Sequence, residues 1–502
     1  MNRYITDTGE ILLYTGAPDL NMLDQLAKGP GDLWHSSYDQ GFKNCFPEIV
    51  YQTATFWWFI NDFENTTSCI NWRVNASCFV IRENVWKLLN GFDARYNSEI
   101  MQGIDLGYTL LRELGGVPIY VKGLYALSAN SANIETEDRY AFYRKHFKTG
   151  HSIYMMLRQP LSKWFSELYY FIESATHQSA TSNLVTLPLK TLVTIEAPKV
   201  SVVIPTMFRQ EYTVQLLKDY AAQSILPIKV IVIDATPEEF RNVALYNLDL
   251  PYEFQLIWQE STGSCRARNE ALEYCKGDYI IFGDDDIRIP PDFVENHIRF
   301  LETYQADACN GRDIRAAHYT NDLTDLDAFL KRSPTSLQKA GVAHQFSNAN
   351  SCVRMQWVKK LIGNDVNYDG GYGEDSDFGL RLLKEGAVVM YNPFSVNLHL
   401  KPPAGGYRFW GQEKPTSKPW ELNAPVGMLK PVPSPTILYY TLKHFTPSQQ
   451  KEYKYKHFIL NLVNGKSYLV LKRLLNVPKK LKQYRLSKWY AQRLIALGER
   501  YK

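Results

Sequence analysis

The stretch "VSVVIPTMFRQEYTVQLLKDYAAQSILPIKVIVID" (Val200–Asp234) reads as strand, helix, strand. Its two ends, "VSVVIP" and "KVIVID", are β-branched runs suited to buried strands, and between them Val214, Leu217 and Tyr220/Ala221 recur at helical spacing. Downstream, "FQLIWQE" (Phe254–Glu260) and "YIIFG" (Tyr279–Gly283) are two more apolar runs, separated by Ala267, Ala271 and Cys275, again one helical face. Strand–helix alternation predicts an α/β fold with a doubly wound, mostly parallel sheet. Ligands of such sheets sit beyond the carboxyl ends of the strands. Asp234 and the triplet Asp284–Asp286 both fall at such ends, so one cleft is expected to hold both.

Three adjacent carboxylates repel one another unless a cation is near. On an extended strand end residues i and i+2 point the same way, which predicts that Asp284 and Asp286 converge on one hard cation while Asp285 faces elsewhere. Oxygen ligation favours Mg2+ or Mn2+, which leave positions open for phosphate oxygens. An acidic solvated loop is the bland alternative.

After Pro290-Pro291, "DFVENHIRFLETY" predicts an amphipathic helix, and residues 307–350 read as mixed and loop-rich. Order returns at "GGYGEDSDFGLRLLKEGAVVMYNPFSVNLHL" (Gly370–Leu400): a glycine-rich turn, an acidic helix start, then a strand toward His399.

The order of "VSVVIPTMFRQEYTVQLLKDYAAQS", "KVIVIDAT", "GSCRARNEALEYCKGDYIIFGDDDIRIPPDF" and "GGYGEDSDFGLRLLKEG" resembles glycosyltransferase family 2 enzymes with the GT-A fold, over about residues 198–405. "GYGEDSDFG" is also similar to the C-terminal galactosyltransferase motif of β-1,4-galactosyltransferases and polypeptide N-acetylgalactosaminyltransferases. The resemblance implies that Pro205, Thr206, Phe208 and Arg209 form the first nucleotide-binding loop, that Asp234 hydrogen-bonds the base and that Arg268 lies near the donor. It implies that Asp284, Asp285 and Asp286 are the metal-and-diphosphate "DXD" element, with His399 completing the metal site. It further implies that Asp375 is the catalytic base and that Glu374 positions the acceptor. Simpler roles stand beside these: Glu374-Asp375 as a helix cap, His399 as a core histidine, Asp234 as a turn residue, Arg268 as an exposed helix charge.

An internal repeat lies outside this region. Residues 82–113 align without gaps to residues 354–385, with 11 of 32 positions identical. The copies differ where chemistry is expected: Gln102-Gly103 stand opposite Glu374-Asp375, and "LLYTGAPDL" (Leu12–Leu20) stands where an aspartate triplet belongs. The division expected is a degenerate GT-A-like half-domain (1–150), a helical connector containing "KWFSELYYFI" (151–197), a catalytic domain (198–430) and a basic helical tail (431–502).

Composition frames the rest. The 502 residues suggest two or three domains, and 45% apolar with 22% charged residues is globular. Seven cysteines without C-x-x-C spacing read as reduced thiols. The start lacks a signal-peptide pattern and no uncharged apolar run reaches membrane-spanning length, so a cytoplasmic protein is expected. The net charge of +4 hides an asymmetry: residues 441–502 carry 15 Lys/Arg against two Glu. There, apolar residues alternate with Lys/Arg at helical spacing, as in helices lying on an anionic membrane, here the cytoplasmic face of an inner membrane. No nucleic-acid-binding module accompanies the charge. The expectation is an inverting, metal-dependent glycosyltransferase that takes a nucleotide-sugar donor, UDP-linked, and a glycan or lipid-linked glycan acceptor in surface polysaccharide or lipopolysaccharide synthesis. A non-catalytic glycan-binding scaffold and a metal-dependent nucleotidyl- or phosphotransferase are the alternatives.

Overall fold

The computed structural model describes residues 1–45, 57–128, 132–176, 186–407, 429–463 and 470–502. Two sheets organise these residues. The first contains β1 (Asn2–Ile5), β2 (Ile11–Tyr14), β3 (Leu33–His35), β4 (Ser68–Ile70), β5 (Phe79–Arg82) and β6 (Pro118–Val121), in the order β1-β2-β5-β3-β6-β4. The second contains β7 (Val200–Thr206), β8 (Lys229–Asp234), β9 (Glu253–Trp258), β10 (Tyr279–Gly283), β11 (Ile287–Arg288), β12 (Ala308–Arg315), β13 (Gly341–Val342), β14 (Asn350–Arg354) and β15 (Val389–His399). Its order is β11-β15-β12-β14-β10-β7-β8-β9, with β13 on β15.

Strands β10, β7, β8 and β9 are parallel neighbours, as the alternating strand and helix pattern predicts. Every residue of β7, β8 and β10 is buried, which is why these runs are apolar without alternation. Helix Gln210–Ala221 buries Leu216, Leu217 and Tyr220; helix Ser264–Leu272 buries Cys265, Ala267 and Ala271. The other half of the sheet is mixed, because β14 runs antiparallel to both β10 and β12. The predicted helix after the two prolines is Phe293–Tyr304. The supposedly loop-rich 307–350 region contains β12, eight residues in the middle of the sheet. Its sequence, "ACNGRDIR", hides a strand because Asn310 and Arg312 are buried polar residues where apolar ones are expected.

The two repeat segments occupy matching places. Strand β5 matches β14, helix Glu83–Leu89 matches Met355–Leu361, and helix Glu99–Thr109 matches Glu374–Lys384. The first pair of helices ends alike, on left-handed Asn90-Gly91 and Ile362-Gly363. From β5 the strands run β5-β3-β6-β4, antiparallel, parallel, antiparallel. From β14 they run β14-β12-β15-β13 with the same directions. On the other side β2 lies antiparallel to β5 as β10 does to β14. Beyond β2 the frames part: β1 closes an antiparallel hairpin where the second sheet continues into the parallel strands.

A buried polar network also occurs twice. Asp105 accepts from Tyr96 Oη (2.8 Å) and Lys145 Nζ (2.6 Å) and lies 2.7 Å from His146 Nε2, while Lys145 also reaches Asp93 at 2.9 Å. Asp377 accepts from Tyr368 Oη (3.2 Å) and Lys443 Nζ (2.7 Å) and lies 2.7 Å from His444 Nε2, while Lys443 reaches Asp365 at 3.2 Å. The frames touch reciprocally through a left-handed glycine after each helix. A Cβ at Gly115 would lie 2.4 Å from the Ala340 carbonyl beside β13, and one at Gly386 would lie 2.7 Å from the Ser68 carbonyl in β4.

The connector segment "KWFSELYYFI" lies in helix Trp164–Glu173, while residues 177–185 of the expected linker fall outside the described residues. In the tail, helix Val477–Leu497 packs on helix Pro435–His444 and buries Tyr484, Tyr490, Ala491 and Leu494. Of the apolar residues expected to meet a membrane these four face the protein, whereas Trp489, Ile495 and Leu497 are exposed on the same helix as the exposed Lys482, Arg485 and Lys488. Among the described residues no helix is long and apolar enough to cross a membrane.

Candidate active site

At the carboxyl edge of the parallel strands lies a cleft of about 230 Å³. Its lining includes Pro205, Arg209, Arg268, Asp284, Asp285, Asp286, Glu374, His399 and Tyr407. The aspartate triplet and the acidic helix start, ninety positions apart in sequence, therefore share one crevice.

Strand β10 stops at Gly283, and Asp285-Asp286 form a turn into β11, so the extended i, i+2 alternation does not apply. This corrects the expected convergence of Asp284 and Asp286. Arg209 Nη1 donates to both Asp285 (3.0 Å) and Asp286 (2.7 Å), whereas Asp284 turns to Arg268 Nη2 (2.6 Å). Thr206, buried at the end of β7, donates to Asp285 at 2.7 Å. Burial, only partly countered by Arg209, pushes the Asp285 carboxyl up to about 7. Burial acts the same way on Asp286, but His399 and Arg209 outweigh it and hold that carboxyl below its usual range.

His399, at the end of β15, places Nε2 3.4 Å from Asp286 and Nδ1 3.2 Å from Asp313 on β12. Burial would lower its pKa; the two carboxylates raise it to about 11. The donor set suits a hard divalent ion, since Asp286 and His399 are adjacent and open to the cleft, and such ions need only one or two protein ligands when phosphates supply the rest. Among the described residues no three such side chains form a ready-made cage.

Arg268 is not the exposed helix charge of the simpler reading: it is 4% exposed. Burial opposes its charge, and Asp284 first, then Asp375 and Glu374, hold it protonated. It therefore stands between the two acidic clusters. Its helix is fixed by Asp369, which accepts from Cys265 N (2.6 Å) and Arg266 Nη1 (2.9 Å) and is itself pushed up to about 7 by burial.

Glu374 and Asp375 occupy the first turn of helix Glu374–Lys384, where the helix dipole favours negative charge. Glu374 lines the cleft; Asp375, half-buried, accepts from the Asn348 side-chain amide. Two expected donor residues lie elsewhere. Asp234 is fully buried and accepts from Gln210 Nε2 (3.0 Å), Tyr246 Oη (3.0 Å) and Thr236 N (2.9 Å), so it ties the loop together behind the cleft. Phe208 adopts φ 57° and packs its ring on Phe240.

Sequence reading missed Asp313, Asp369, Asn348 and Tyr407. Asp313 sits in the unrecognised β12, and the others act through contacts between distant segments. The segment ending in Gly405-Gly406-Tyr407 lies directly on Arg209: a Cβ at Gly405 would fall 2.7 Å from Arg209 Cγ and 2.8 Å from the Phe208 carbonyl. Only glycine fits there, at φ 85°.

Residues 201–361 match the profile of Glycosyl transferase family 2. "Glycosyltransferase GlyA" of Streptococcus pneumoniae is 27% identical over 114 residues, 22% of this chain and 16% of that protein. "Poly(ribitol-phosphate) beta-N-acetylglucosaminyltransferase TarS" of Staphylococcus aureus is 23% identical over 160 residues, 29% of this chain and 28% of that protein. The chain thus spans less than a third of the length of these curated relatives. Among solved structures, S. aureus TarS 1-349 in complex with UDP-GlcNAc aligns with TM-score 0.38 and 17% identity, covering 60% of this chain and 83% of that one. Mannosyltransferase PcManGT from Pyrobaculum calidifontis, in complex with GDP-Man and Mn2+, aligns with TM-score 0.33 and 16% identity, covering 57% and 87%. Residues 201–361 are thus a glycosyltransferase family 2 domain.

Proposed function

We propose that the chain transfers a sugar from a nucleotide-sugar donor, UDP-linked, to a hydroxyl of a glycan or lipid-linked glycan acceptor, inverting the anomeric centre, in the synthesis of a cell-surface glycan. The observation that carries this reading is the shared cleft, with Arg268 between a triplet of aspartates and a second acidic pair. The catalytic domain is assigned to residues 198–430, the first copy (1–150) to a non-catalytic partner, residues 151–197 to a connector and residues 431–502 to a basic tail meeting an anionic membrane.

Breaking the bond from sugar C1 to a nucleoside diphosphate builds negative charge on the leaving group. Arg209 and Arg268 bring fixed positive charge to that edge of the cleft. Asp286 and His399, with Asp284 on the same turn, would hold Mn2+ or Mg2+, which when bound supplies further charge stabilisation to the departing diphosphate. Across the cleft Asp375 accepts the proton of the attacking hydroxyl, and Glu374 positions the acceptor. One displacement with one base inverts C1, and no covalent intermediate forms. A second reading exchanges the two acids, because Glu374 and not Asp375 lines the cleft. The test is product analysis with UDP-sugars and Mn2+. Release of UDP with a sugar of inverted configuration on the acceptor is expected. Release of pyrophosphate or phosphate would favour a nucleotidyl- or phosphotransferase, and no turnover with any donor would favour a glycan-binding scaffold. Comparing Asp375→Asn with Glu374→Gln then identifies the base.

A further inference from the structure

Helix Trp164–Glu173 is inside out. Glu167, at its middle, points inward, 2% exposed, and accepts from Arg139 Nη2 at 2.6 Å and from Tyr140 Oη at 2.7 Å. Phe171 packs on Tyr140, but four apolar residues point to solvent: Phe165 is 91% exposed, and Leu168, Tyr169 and Ile172 continue the same i, i+3, i+4, i+7 stripe. Leu161 in the preceding turn and Ile153 and Leu157 on helix Thr149–Arg158 extend it, while Ser152 and Met155 of that helix are buried. Scattered exposed apolar side chains are ordinary; a continuous stripe over two consecutive helices marks a surface that is covered in use.

Helix Pro447–Val463, the counterpart that follows the second Lys-His pair, meets helix Thr149–Arg158 through the ion pair between Arg158 and Glu452. It sends Lys451, Tyr455 and Ile459 outward at i, i+4, i+8, and Leu474 and Leu475 are exposed in the helix after it. Charge is asymmetric around these apolar residues. Lys148, Lys163, Lys451 and Lys454 are exposed, whereas Glu167 and Glu452 are buried in ion pairs. Among the described residues of these helices Glu173 is the one exposed acid.

We propose that the stripe Ile153–Leu157–Leu161–Phe165–Leu168–Tyr169–Ile172 is the membrane-docking face of the protein, its apolar side chains entering the headgroup boundary of an anionic bilayer while exposed lysines such as Lys148 and Lys163 meet lipid phosphates. Apolar residues rimmed by lysines suit such a surface: the apolar part gives depth, the lysines give preference for anionic lipid. The inference deepens the membrane reading above, placing its main apolar anchor in the connector beside the basic tail's charge, and is independent of the transfer chemistry.

The test is co-sedimentation of the full chain with vesicles of phosphatidylcholine containing about one third phosphatidylglycerol, against phosphatidylcholine alone. The wild type is expected to sediment with the anionic vesicles. Phe165→Ser/Ile172→Ser is expected to bind at least ~10-fold more weakly with an unchanged Tm, since both side chains already face water. Lys482→Glu/Arg485→Glu/Lys488→Glu reports on the tail. If that variant loses binding while Phe165→Ser/Ile172→Ser keeps it, the tail is the anchor and the proposal falls. It falls equally if the wild type does not sediment, or if the wild type is dimeric in solution and Phe165→Ser/Ile172→Ser is monomeric. Transfer to a water-soluble acceptor, measured in parallel, separates failure of this face from failure of the enzymatic reading.

Discussion

The two copies of the repeat keep the same frame and differ at the same few places. Strand order, strand direction, the left-handed helix ends and the Asp–His–Lys–Tyr network recur. What is not repeated is chemistry. The parallel strands that would cradle a nucleotide are replaced in the first copy by the β1–β2 hairpin. By strand register Ala17-Pro18-Asp19 fall where Asp284–Asp286 would. Asp375, hydrogen-bonded to Asn348, is matched by Gly103 packed on Ala76. In the first copy the backbone of Val74–Ala76 fills the space that the Asp375 side chain takes in the second: a Cβ at Gly103 would meet Val74 O at 2.4 Å and Ala76 N at 2.6 Å. The duplicated parts stabilise the frame; the unique parts can act on substrate.

The hardest test of that division is Asp375→Asn. If transfer depends on one copy, kcat should fall about 10²–10⁴-fold while folding is untouched, because a general base is worth that much and the residue is half-buried at a helix start. Activity surviving Asp375→Asn but lost on altering the first copy would reverse the assignment. The networks should instead behave as equals. Asp105→Asn and Asp377→Asn each remove a carboxylate from a buried Lys and His, and each should cost about 3–5 kcal/mol in urea unfolding. Burial holds His146 and His444 below the usual imidazole pKa despite these carboxylates. The unfolded chain therefore takes up protons first, and both networks should lose stability as pH falls below about 6.5, followed by circular dichroism at a series of pH values. A network insensitive to substitution in one copy only would show that the frames are not equivalent.

Most of the frame was legible because it is written in local signals: β-branched runs, helical spacing and the gapless match of residues 82–113 to 354–385. The second occurrence of the network was not. Lys145-His146 and Lys443-His444 lie beyond connections of different length, 114–135 and 386–434, so the register of the repeat is lost before it reaches them. The cleft was legible at its acidic ends and not between them. Arg268 reads as a surface charge on a polar helix, yet packing buries it against Asp284. Asp369 and Asp313 act through residues about a hundred positions away, and no local pattern encodes that. Asp234 illustrates the converse: it is where the strand pattern places it, but Gln210, Tyr246 and Thr236 close over it.

Gly103→Ala probes how tightly the first copy is closed. The added methyl has backbone on two sides and no flexible neighbour to displace, so a loss of about 1–3 kcal/mol is expected, read as a lower urea midpoint. Asp375→Ala, at the matching site of the second copy, meets no clash and loses only the bond from Asn348 and a charge at the helix start, so a cost of no more than about 1 kcal/mol is expected. Equal costs at both positions would mean that the first site is not filled by its own backbone.

The smallest effect expected is at Asn348, the counterpart of Ala76. Its amide donates to Asp375 from a side chain that is 1% exposed, so the donor is held by packing and its direction is fixed before any acceptor arrives. Asn348→Ala makes the second copy resemble the first at this point without touching the carboxylate. A hydrogen bond to a charged group is worth about 1.5–3 kcal/mol, but Asp375 is only half-buried and water can replace part of it, so a fall in kcat of about tenfold is expected with KM little changed. The split matters more than the size. If KM rises and kcat holds, Asn348 shapes the acceptor pocket and leaves the base alone, and the pairing of Asn348 with Asp375 against Ala76 with Gly103 would distinguish two binding surfaces, not an active copy from an inactive one.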